Sequence, residues 1–158
     1  MLQIHTTTPS GGTGLRIAIV AAKYNEIYVN GMVDAAVAYL RTAGASIEVV
    51  RVPGAFEIPV AAASLVGVAA LKPDAVICLG VIWQGETDHA QQIGGAVTNA
   101  LMDLQMKTGV PCIHEVLTIR SEEQARARCL SAETNRGVEA AGTALEMGRL
   151  LRELSASR

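Results

Sequence analysis

Apolar and polar residues follow two different periods along this chain. Four short runs are almost continuously apolar, and between them lie longer segments with apolar residues every three or four positions. The short runs have the length of strands, and the spaced segments have the period of helices. The runs cover residues 15–22, 46–52, 75–82 and 112–119. This alternation predicts a four-stranded parallel sheet with helices on both faces.

Turn and cap residues delimit the helical segments. The predicted helices span residues 26–43, 58–70 and 87–108, a segment opened by Ser121, and a last amphipathic segment ending near Leu154. Gly44 and Gly109 follow two of them, and glycine is common just past a helix C-terminus. Ser121 and Gln124 have the spacing of a capping box. Residues 135–137 interrupt the helical pattern before the last segment.

The predicted topology tells where a ligand would bind. In parallel sheets covered by helices, ligands bind beyond the carboxyl ends of the strands. We therefore expect function in the loops around Tyr24, at residues 53–57, at residues 82–89 and after Ile119.

Length and composition describe one globular domain. The chain has 158 residues, of which 50% are hydrophobic and 18% charged, enough for a substantial core. We predict that residues 15–158 form this domain and that residues 1–14 form a flexible polar tail or pair with a neighbouring subunit. The net charge of -2 argues against a broad nucleic-acid surface but permits a small anion pocket.

Targeting and metal-binding signals are absent from the sequence pattern. Neither a signal peptide nor an apolar run long enough for a membrane span is recognisable, so a cytoplasmic protein is expected. The spacing of the cysteines indicates neither a disulfide framework nor a zinc site, and the histidines lie too far apart for a metal site. Cys78 and Cys112 lie in apolar runs and are predicted to be buried.

Aromatic residues are scarce and gather at one predicted edge. The chain has three Tyr, one Phe and one Trp. Tyr24, Phe56 and Trp83 each follow or end a predicted strand. Rings collected at the carboxyl edge of a sheet favour contact with a planar ligand. The alternative is that they cap the core beneath the loops.

The segment Gly85–His89 opens the third predicted helix directly behind a buried strand. Backbone N–H groups at a helix start favour an anion, and Thr87 adds a hydroxyl. Arg128, beyond the fourth strand, is a candidate cation for the same anion. An ordinary helix N-cap is the alternative, since the glycine-rich motifs of nucleotide-phosphate loops are absent.

His89 lies in the first turn of that helix. The helix dipole disfavours a positive charge there, which favours the neutral imidazole that a general base needs. Glu86, three residues earlier, could orient the ring or partly cancel this effect. The alternative is a solvated polar side chain with no catalytic role.

Together these residues resemble the lumazine synthase family of riboflavin biosynthesis, over about residues 15–152. The resemblance rests on Val52–Pro59 (VPGAFEIP), Gly85–His89 (GETDH), Val116–Thr118 followed by Glu123–Ala125, Arg128, and Asn135–Gly137. It implies an α/β fold, a three-layer flavodoxin-like sandwich with a four-stranded parallel sheet and helices on both faces.

The resemblance also implies a reaction and an assembly. The family condenses 5-amino-6-(D-ribitylamino)uracil with 3,4-dihydroxy-2-butanone 4-phosphate to 6,7-dimethyl-8-ribityllumazine, releasing phosphate and water, in the penultimate step of riboflavin biosynthesis. No metal or other cofactor takes part. The active site lies between subunits of a homopentamer, some members form a 60-mer shell, and association with riboflavin synthase is possible within the family.

The resemblance also implies roles for particular residues. His89 matches the proton-transfer residue, and Glu86, Thr87 and Arg128 match the phosphate-binding positions. Tyr24 matches the substrate-binding position that stacks on the pyrimidine, and Val81, Ile82 and Trp83 match positions against the ring. Ala55, Phe56 and Glu57 match positions on the ribityl side. His114 matches a substrate-binding position contributed by the neighbouring subunit.

The chain also departs from the family, at Gln84, Ala90, His114 and Ala132. The family often has Arg or Lys at the position of Gln84 and an aromatic residue at that of Ala90. It often has Phe at the position of His114 and Lys at that of Ala132. The departures keep open a non-catalytic protein of the same fold that binds a lumazine or flavin or forms a shell. A monomeric flavodoxin-like electron carrier is a further alternative. The joint presence of His89, Arg128 and the Gly-Glu-Thr turn favours the enzyme.

Overall fold

The helices and strands follow the predicted order. A computed structural model describes residues 8–68, 70 and 72–157. The described residues do not include residues 1–7 of the predicted tail, residue 69 of the second predicted helix, residue 71 or the last residue of the predicted domain, residue 158. The elements are β1 (Arg16–Ala22), α1 (Glu26–Thr42), β2 (Ser46–Val52), a 3-10 turn (Ala55–Glu57), α2 (Ile58–Gly67), β3 (Ala75–Trp83), α3 (His89–Thr108), β4 (Cys112–Ile119), α4 (Glu122–Cys129) and α5 (Arg136–Ala156).

The four strands form one parallel sheet in the order β2-β1-β3-β4. The predicted three-layer α/β fold is thus confirmed. β2 lies on one side of β1 in the sheet, and β3 and β4 lie on the other side. The strand order therefore reverses between β1 and β3. A crevice opens at such a reversal, because the connections on its two sides leave for opposite faces.

Each face of the sheet has its own core. On one face, alternate residues of β1 and β3 pack against buried apolar side chains of α1, α4 and α5. On the other face, the intervening residues pack against α2 and α3. β1 and β3 are buried almost throughout, as their continuously apolar sequences predict. Cys78 and Cys112 are buried as predicted, and so is Cys129.

The edge strand β2 differs from its neighbours. Ser46, Glu48 and Val49 are exposed, and only Val52 is buried. Its sequence is less apolar because one side of an edge strand has no neighbouring strand and is only partly covered by helices. The predicted helices on both faces bury β1 and β3 almost completely and β2 only in part.

Helix ends follow the predicted signals with small shifts. Gly44 and Gly109 have positive φ angles of 85° and 68° after α1 and α3. The Ser121 hydroxyl accepts a hydrogen bond from Gln124 N at 3.2 Å. The Gln124 side chain accepts from Arg120 N, not from Ser121 N as a full capping box requires. α3 begins at His89, two residues after the predicted start.

Asn135 joins three helices. Its side-chain amide donates to Cys129 O at 2.7 Å and to Gly31 O at 3.2 Å, and its oxygen accepts from Gly137 N at 2.8 Å. A Cβ at Gly137 would lie only 2.0 Å from Met32 O, so only glycine lets α5 approach α1 this closely. The interruption seen in the sequence at residues 135–137 is therefore the cap and crossing point of α5.

Membrane-spanning helices are absent from the described part of the chain: none of its helices is both long and apolar enough.

Candidate active site

A cavity of about 770 Å³ opens where the strand order reverses, between the ends of β1 and β3. Its volume lies in the range of small-molecule sites. The lining side chains come from the segments that follow β1, β2 and β3 and from the start of α3. They are Tyr24, Asn25, Gly54, Ala55, Phe56, Glu57, Val81, Ile82, Trp83, His89, Gln92, Ile93 and Ala96.

Eight of the twelve predicted site residues line this cavity. They are Tyr24, Ala55, Phe56, Glu57, Val81, Ile82, Trp83 and His89. The other four, Glu86, Thr87, Arg128 and His114, do not line it. The predicted site therefore falls into two groups, of which one surrounds a cavity and the other lies elsewhere on the same chain.

The end of β1 is held in an unusual backbone conformation. Asn25 has φ 59°, in the left-handed region that asparagine tolerates better than most residues. Its side-chain amide donates to Val81 O at 2.7 Å, which ties the end of β1 to that of β3. Tyr24 N donates to Pro53 O at 3.1 Å, so Tyr24 is held beside the β2 turn.

The turn after β2 presents Phe56 and Glu57. Glu57 Oε2 accepts from Gly54 N at 2.9 Å. A Cβ at Gly54 would come within 3.0 Å of both the Tyr24 ring and the Glu57 carboxylate, so glycine is needed for this close arrangement. Tyr24 is 68% and Phe56 62% exposed. Neither ring caps the core, which leaves both free for a ligand or another chain.

The end of β3 forms an apolar wall. Val81 and Ile82 are buried in the two cores, and Trp83 follows at the surface. The Trp83 ring packs edge-on against Tyr28, with centroids 5.8 Å apart and planes at 75°. An aromatic ring held this way offers a defined surface to a flat ligand.

The turn before α3 is braced by Gln84. Its side-chain amide donates to Gly85 O at 2.9 Å and to Thr87 O at 3.2 Å. Gln84 N donates to Ile119 O at 2.8 Å, which fixes the turn to β4. Asp88, the N-cap residue, makes no side-chain cap bond within the described structure. The ordinary side-chain cap considered for this turn is therefore not formed.

Three residues of α3 line the cavity but were not among the candidates predicted from the sequence. Gln92, Ile93 and Ala96 follow His89 at three, four and seven positions and so share its helix face. This spacing was the signal available in the sequence. Asn25 lies in the loop around Tyr24 where function was expected but was not itself a candidate, because a side chain's bond to a strand 56 residues away leaves no local pattern.

His114 lies away from the cavity, on β4 facing α3. Its Nδ1 accepts from Val116 N at 3.4 Å, and its Nε2 lies 2.8 Å from Thr98 Oγ. The acceptor role of Nδ1 assigns the ring proton to Nε2. Thr98 Oγ in turn donates to Gly94 O at 2.8 Å. The ring is thus fixed in orientation beside a separate small cavity.

Arg128 lies on α4, close to a buried ionic cluster that the sequence candidates omitted. Burial raises the pKa of Glu115 to about 7, against the lowering effect of Arg136 and Arg128, while Glu139 adds to the rise. The signal for Glu115 was one acidic residue among the apolar positions of β4. Burial lowers the pKa of Arg136, but the hydrogen bond that its guanidinium donates to Glu139 and the attraction of Glu115 and Glu139 outweigh burial, so the pKa is raised.

Metal ligation has no evident place in this arrangement. Across residues 8–68, 70 and 72–157, no three His, Cys, Asp or Glu side chains group closely enough to hold an ion. What the cavity offers instead is apolar walls, three exposed aromatic rings, one carboxylate, one imidazole and a helix N-terminus.

These features define a class of protein. The fold is flavodoxin-like, with a crevice at the carboxyl ends of the strands, where such folds bind ligands. The family model described as 6,7-dimethyl-8-ribityllumazine synthase matches residues 14–152. The chain belongs to this family, the transferases that carry out a condensation in riboflavin biosynthesis.

Curated relatives support the same assignment. A 6,7-dimethyl-8-ribityllumazine synthase of Halorhodospira halophila is 40% identical over 144 residues, covering 89% of this chain and 91% of the relative. The protein of that name from Leifsonia xyli is 41% identical over 145 residues, covering 90% of this chain and 90% of the relative. That from Methylobacterium radiotolerans is also 41% identical over 145 residues, covering 92% of this chain and 87% of the relative.

Proposed function

We propose that this chain condenses 5-amino-6-(D-ribitylamino)uracil with 3,4-dihydroxy-2-butanone 4-phosphate to give 6,7-dimethyl-8-ribityllumazine, phosphate and water. The observation that carries the proposal is the single cavity that joins Tyr24, Trp83, Glu57 and His89. Membership of the family supplies the reaction, and this cavity supplies a place for it on the described chain.

The pyrimidine is assigned to the apolar part of the cavity. Val81, Ile82 and Trp83 form one wall, and Tyr24 lies at the rim as the stacking ring. The ribityl chain extends toward Ala55, Phe56 and Glu57, where the carboxylate can accept bonds from hydroxyl groups. Holding both substrates side by side supplies much of the rate, because a bimolecular step becomes effectively unimolecular.

The phosphate is assigned to the start of α3. The turn braced by Gln84 presents backbone N–H groups without a cap from the Asp88 side chain, and Glu86 and Thr87 belong to that turn. Arg128 provides the cation. Because phosphate is eliminated as an anion during the reaction, these groups also stabilise the leaving group.

His89 is assigned the proton transfers. The imidazole lines the cavity at the first residue of α3, next to the proposed phosphate site. The ring can accept a proton from the attacking amine and return it later.

A second copy of the chain completes the proposed site. Arg128 and His114 do not line the cavity of their own chain, and the rings at its rim are exposed. We infer a homopentamer, in which these side chains reach the cavity of the next subunit, in the cytoplasm of the cell. Native mass measurement distinguishes this assembly from a 60-mer shell, and co-purification tests an association with riboflavin synthase.

The phosphate assignment is tested by comparing Arg128→Ala with Arg126→Ala. Arg126 lies on the same helix but pairs with Glu122 at the surface. We expect Arg128→Ala to raise KM for the phosphate-bearing substrate about 10- to 100-fold, the loss of one charge-assisted contact. Arg126→Ala is expected to match the wild type. The measurement is a steady-state assay that follows the fluorescent lumazine product.

Two results of this assay contradict the proposal. If purified protein forms no product above the uncatalysed rate, the condensing activity is wrong. If both arginine variants keep the wild-type KM, the activity stands and the phosphate assignment is wrong.

A further inference from the structure

The side of α3 that faces the cavity carries a polar side chain with no role in the proposed reaction. His89, Gln92 and Ala96 recur at intervals of three and four residues and form one stripe along the cavity. The stripe runs beside Ala90 and Val97, which are buried and anchor α3 in the core. Gln92 is therefore held in place by its helix, about 4.5 Å further along the axis of α3 than His89.

The amide of Gln92 is free to bind a ligand. Its side chain is exposed and forms no hydrogen bond with any residue that the structure describes. The other side-chain amide in the cavity, that of Asn25, already donates to Val81 O at 2.7 Å. One Glu57 oxygen accepts from Gly54 N at 2.9 Å, which leaves the second oxygen for a ligand. Gln92 thus adds an uncommitted carbonyl acceptor and two N–H donors to the cavity.

Gln92 and Glu57 lie on the same side of the cavity. α3 packs against the 3-10 turn that carries Glu57. Ala55 of that turn and Ile93 of α3 pack against the same core. The Trp83 ring instead packs against α1, at the opposite face of the sheet. The free amide and the carboxylate are therefore placed to bind the same part of a ligand, across from Trp83.

A polyol is the kind of ligand group that needs both side chains. Each hydroxyl group can donate one hydrogen bond and accept others, whereas a carboxylate only accepts. Glu57 can accept hydrogen bonds from hydroxyl groups, but it cannot satisfy their oxygens. The N–H groups of Gln92 supply the missing donors. A site built in this way also discriminates against a ligand that lacks the hydroxyl groups, because its own polar groups are then left unpaired.

We propose that Gln92 is a substrate-binding residue that, together with Glu57, makes the cavity specific for the polyol chain of the pyrimidine substrate. The Gln92 amide donates to a ribityl hydroxyl oxygen, and the Glu57 carboxylate accepts from a neighbouring hydroxyl group. The apolar wall at the end of β3 binds the flat part of the same molecule. This inference rests on the proposed function, which places the ribityl chain beside Ala55–Glu57.

Two lumazines test the inference by truncation of the ligand. 6,7-Dimethyl-8-ribityllumazine carries the ribityl chain, and 6,7,8-trimethyllumazine has a methyl group in its place. We expect Gln92→Leu to raise the Kd of the ribityl compound about 3- to 10-fold, which corresponds to the loss of one neutral hydrogen bond. The Kd of the trimethyl compound is expected to stay unchanged. Fluorescence titration measures both constants.

Gln91→Leu is the matched control. Gln91 is the same residue type at the neighbouring position of α3, is also exposed and does not line the cavity. This variant is expected to bind both lumazines as the wild type does. Gln92→Glu keeps the length of the side chain and an acceptor but removes both donors. It is expected to lose at least as much affinity for the ribityl compound as Gln92→Leu loses.

Steady-state kinetics provide an independent measure. Gln92→Leu is expected to raise KM for the ribitylaminouracil about 3- to 10-fold and to leave KM for the butanone phosphate unchanged. The role of Gln92 is wrong if only KM for the butanone phosphate rises, or if Gln92→Leu weakens the two lumazines equally. Wild-type affinity of Gln92→Glu for the ribityl compound also overturns it.

The wild type separates this inference from the proposed function. If the wild type forms no product and binds neither lumazine, the proposed function is wrong and the inference fails with it. If the wild type turns over and binds the ribityl compound while Gln92→Leu keeps the wild-type Kd and KM, the proposed function stands and only the role of Gln92 is wrong.

Discussion

Single residues at the strand ends determine what the cavity can hold. Asn25 fixes the end of β1 to Val81, and Gly54 lets the Tyr24 ring and the Glu57 carboxylate approach each other. Larger residues at Gly54 would push one of these groups away. The proposed chemistry depends on His89, the one imidazole among the described residues that line the cavity.

His89→Ala is expected to lower kcat about 10- to 100-fold and to leave KM for both substrates nearly unchanged. The general base is lost, but the walls that position the substrates remain. Steady-state kinetics measure the rate, and fluorescence titration with the lumazine product measures binding. A variant with full kcat, or one that no longer binds the product, contradicts the assignment of His89.

The cavity residues were predictable to different degrees. Tyr24, Phe56 and Trp83 stand out in a chain with few aromatic residues, and His89 stands out at a helix start. Glu115 and the bond from Asn25 to Val81 depend on contacts between distant segments. No local spacing encodes such contacts, so the sequence could not show them.

Secondary-structure elements were predicted more fully than their contacts. The strands followed from apolar runs and the helix ends from Gly44, Gly109 and Ser121, because these signals act over a few residues. The exposed side of β2 was not predicted, since its edge position depends on the order of all four strands. The crossing of α1 and α5 was also not predicted.

Gly137→Ala tests that crossing. The new Cβ would meet the Met32 carbonyl at 2.0 Å, so α5 must move away from α1 and from the cap at Asn135. We expect a loss of about 2–4 kcal/mol in the free energy of unfolding. Urea titration followed by circular dichroism measures it.

Gly95→Ala is the matched control. Gly95 lies in α3, and a Cβ added there would have open space around it among the described residues. The same change at this position is expected to be neutral or to stabilise by up to about 1 kcal/mol, since alanine favours helices. Equal losses in the two variants would show that the crossing is not tightly packed.

The whole molecule should respond to pH through Glu115. Its pKa is about 7 in the folded chain and 4.5 in the reference state, so the folded chain binds the proton more tightly. Its stabilising contribution is therefore complete below about pH 4.5 and is lost as the pH rises through 7.

Between pH 5 and 8, we expect the wild type to lose on the order of 2–3 kcal/mol of stability relative to Glu115→Gln. Urea unfolding at both pH values and one protein concentration measures this difference. Glu123→Gln should follow the wild type. A parallel pH dependence in wild type and Glu115→Gln would show that the carboxyl is not perturbed.

Shared sites between chains predict complementation. Ala96→Trp should fill the cavity of its own chain, and Arg128→Ala should disable the contribution to the next one. When these two impaired variants are unfolded together, refolded as a mixture and assayed with the phosphate-bearing substrate below the wild-type KM, about a quarter of the interfaces combine an intact cavity with an intact arginine. We expect turnover to return to about that fraction. If verified mixed oligomers recover no turnover, the proposal of a site between subunits is contradicted.

The position of α5 after all the elements it packs against has a consequence for synthesis. Ala140, Ala141, Ala144 and Leu145 complete the core against α1 and the inner strands. Until these residues have been made, this core is only partly covered, by α1 and α4. At about 5–20 residues per second, the 21 residues of α5 take about 1–4 s to add. The nascent chain therefore needs protection from aggregation until α5 has been made.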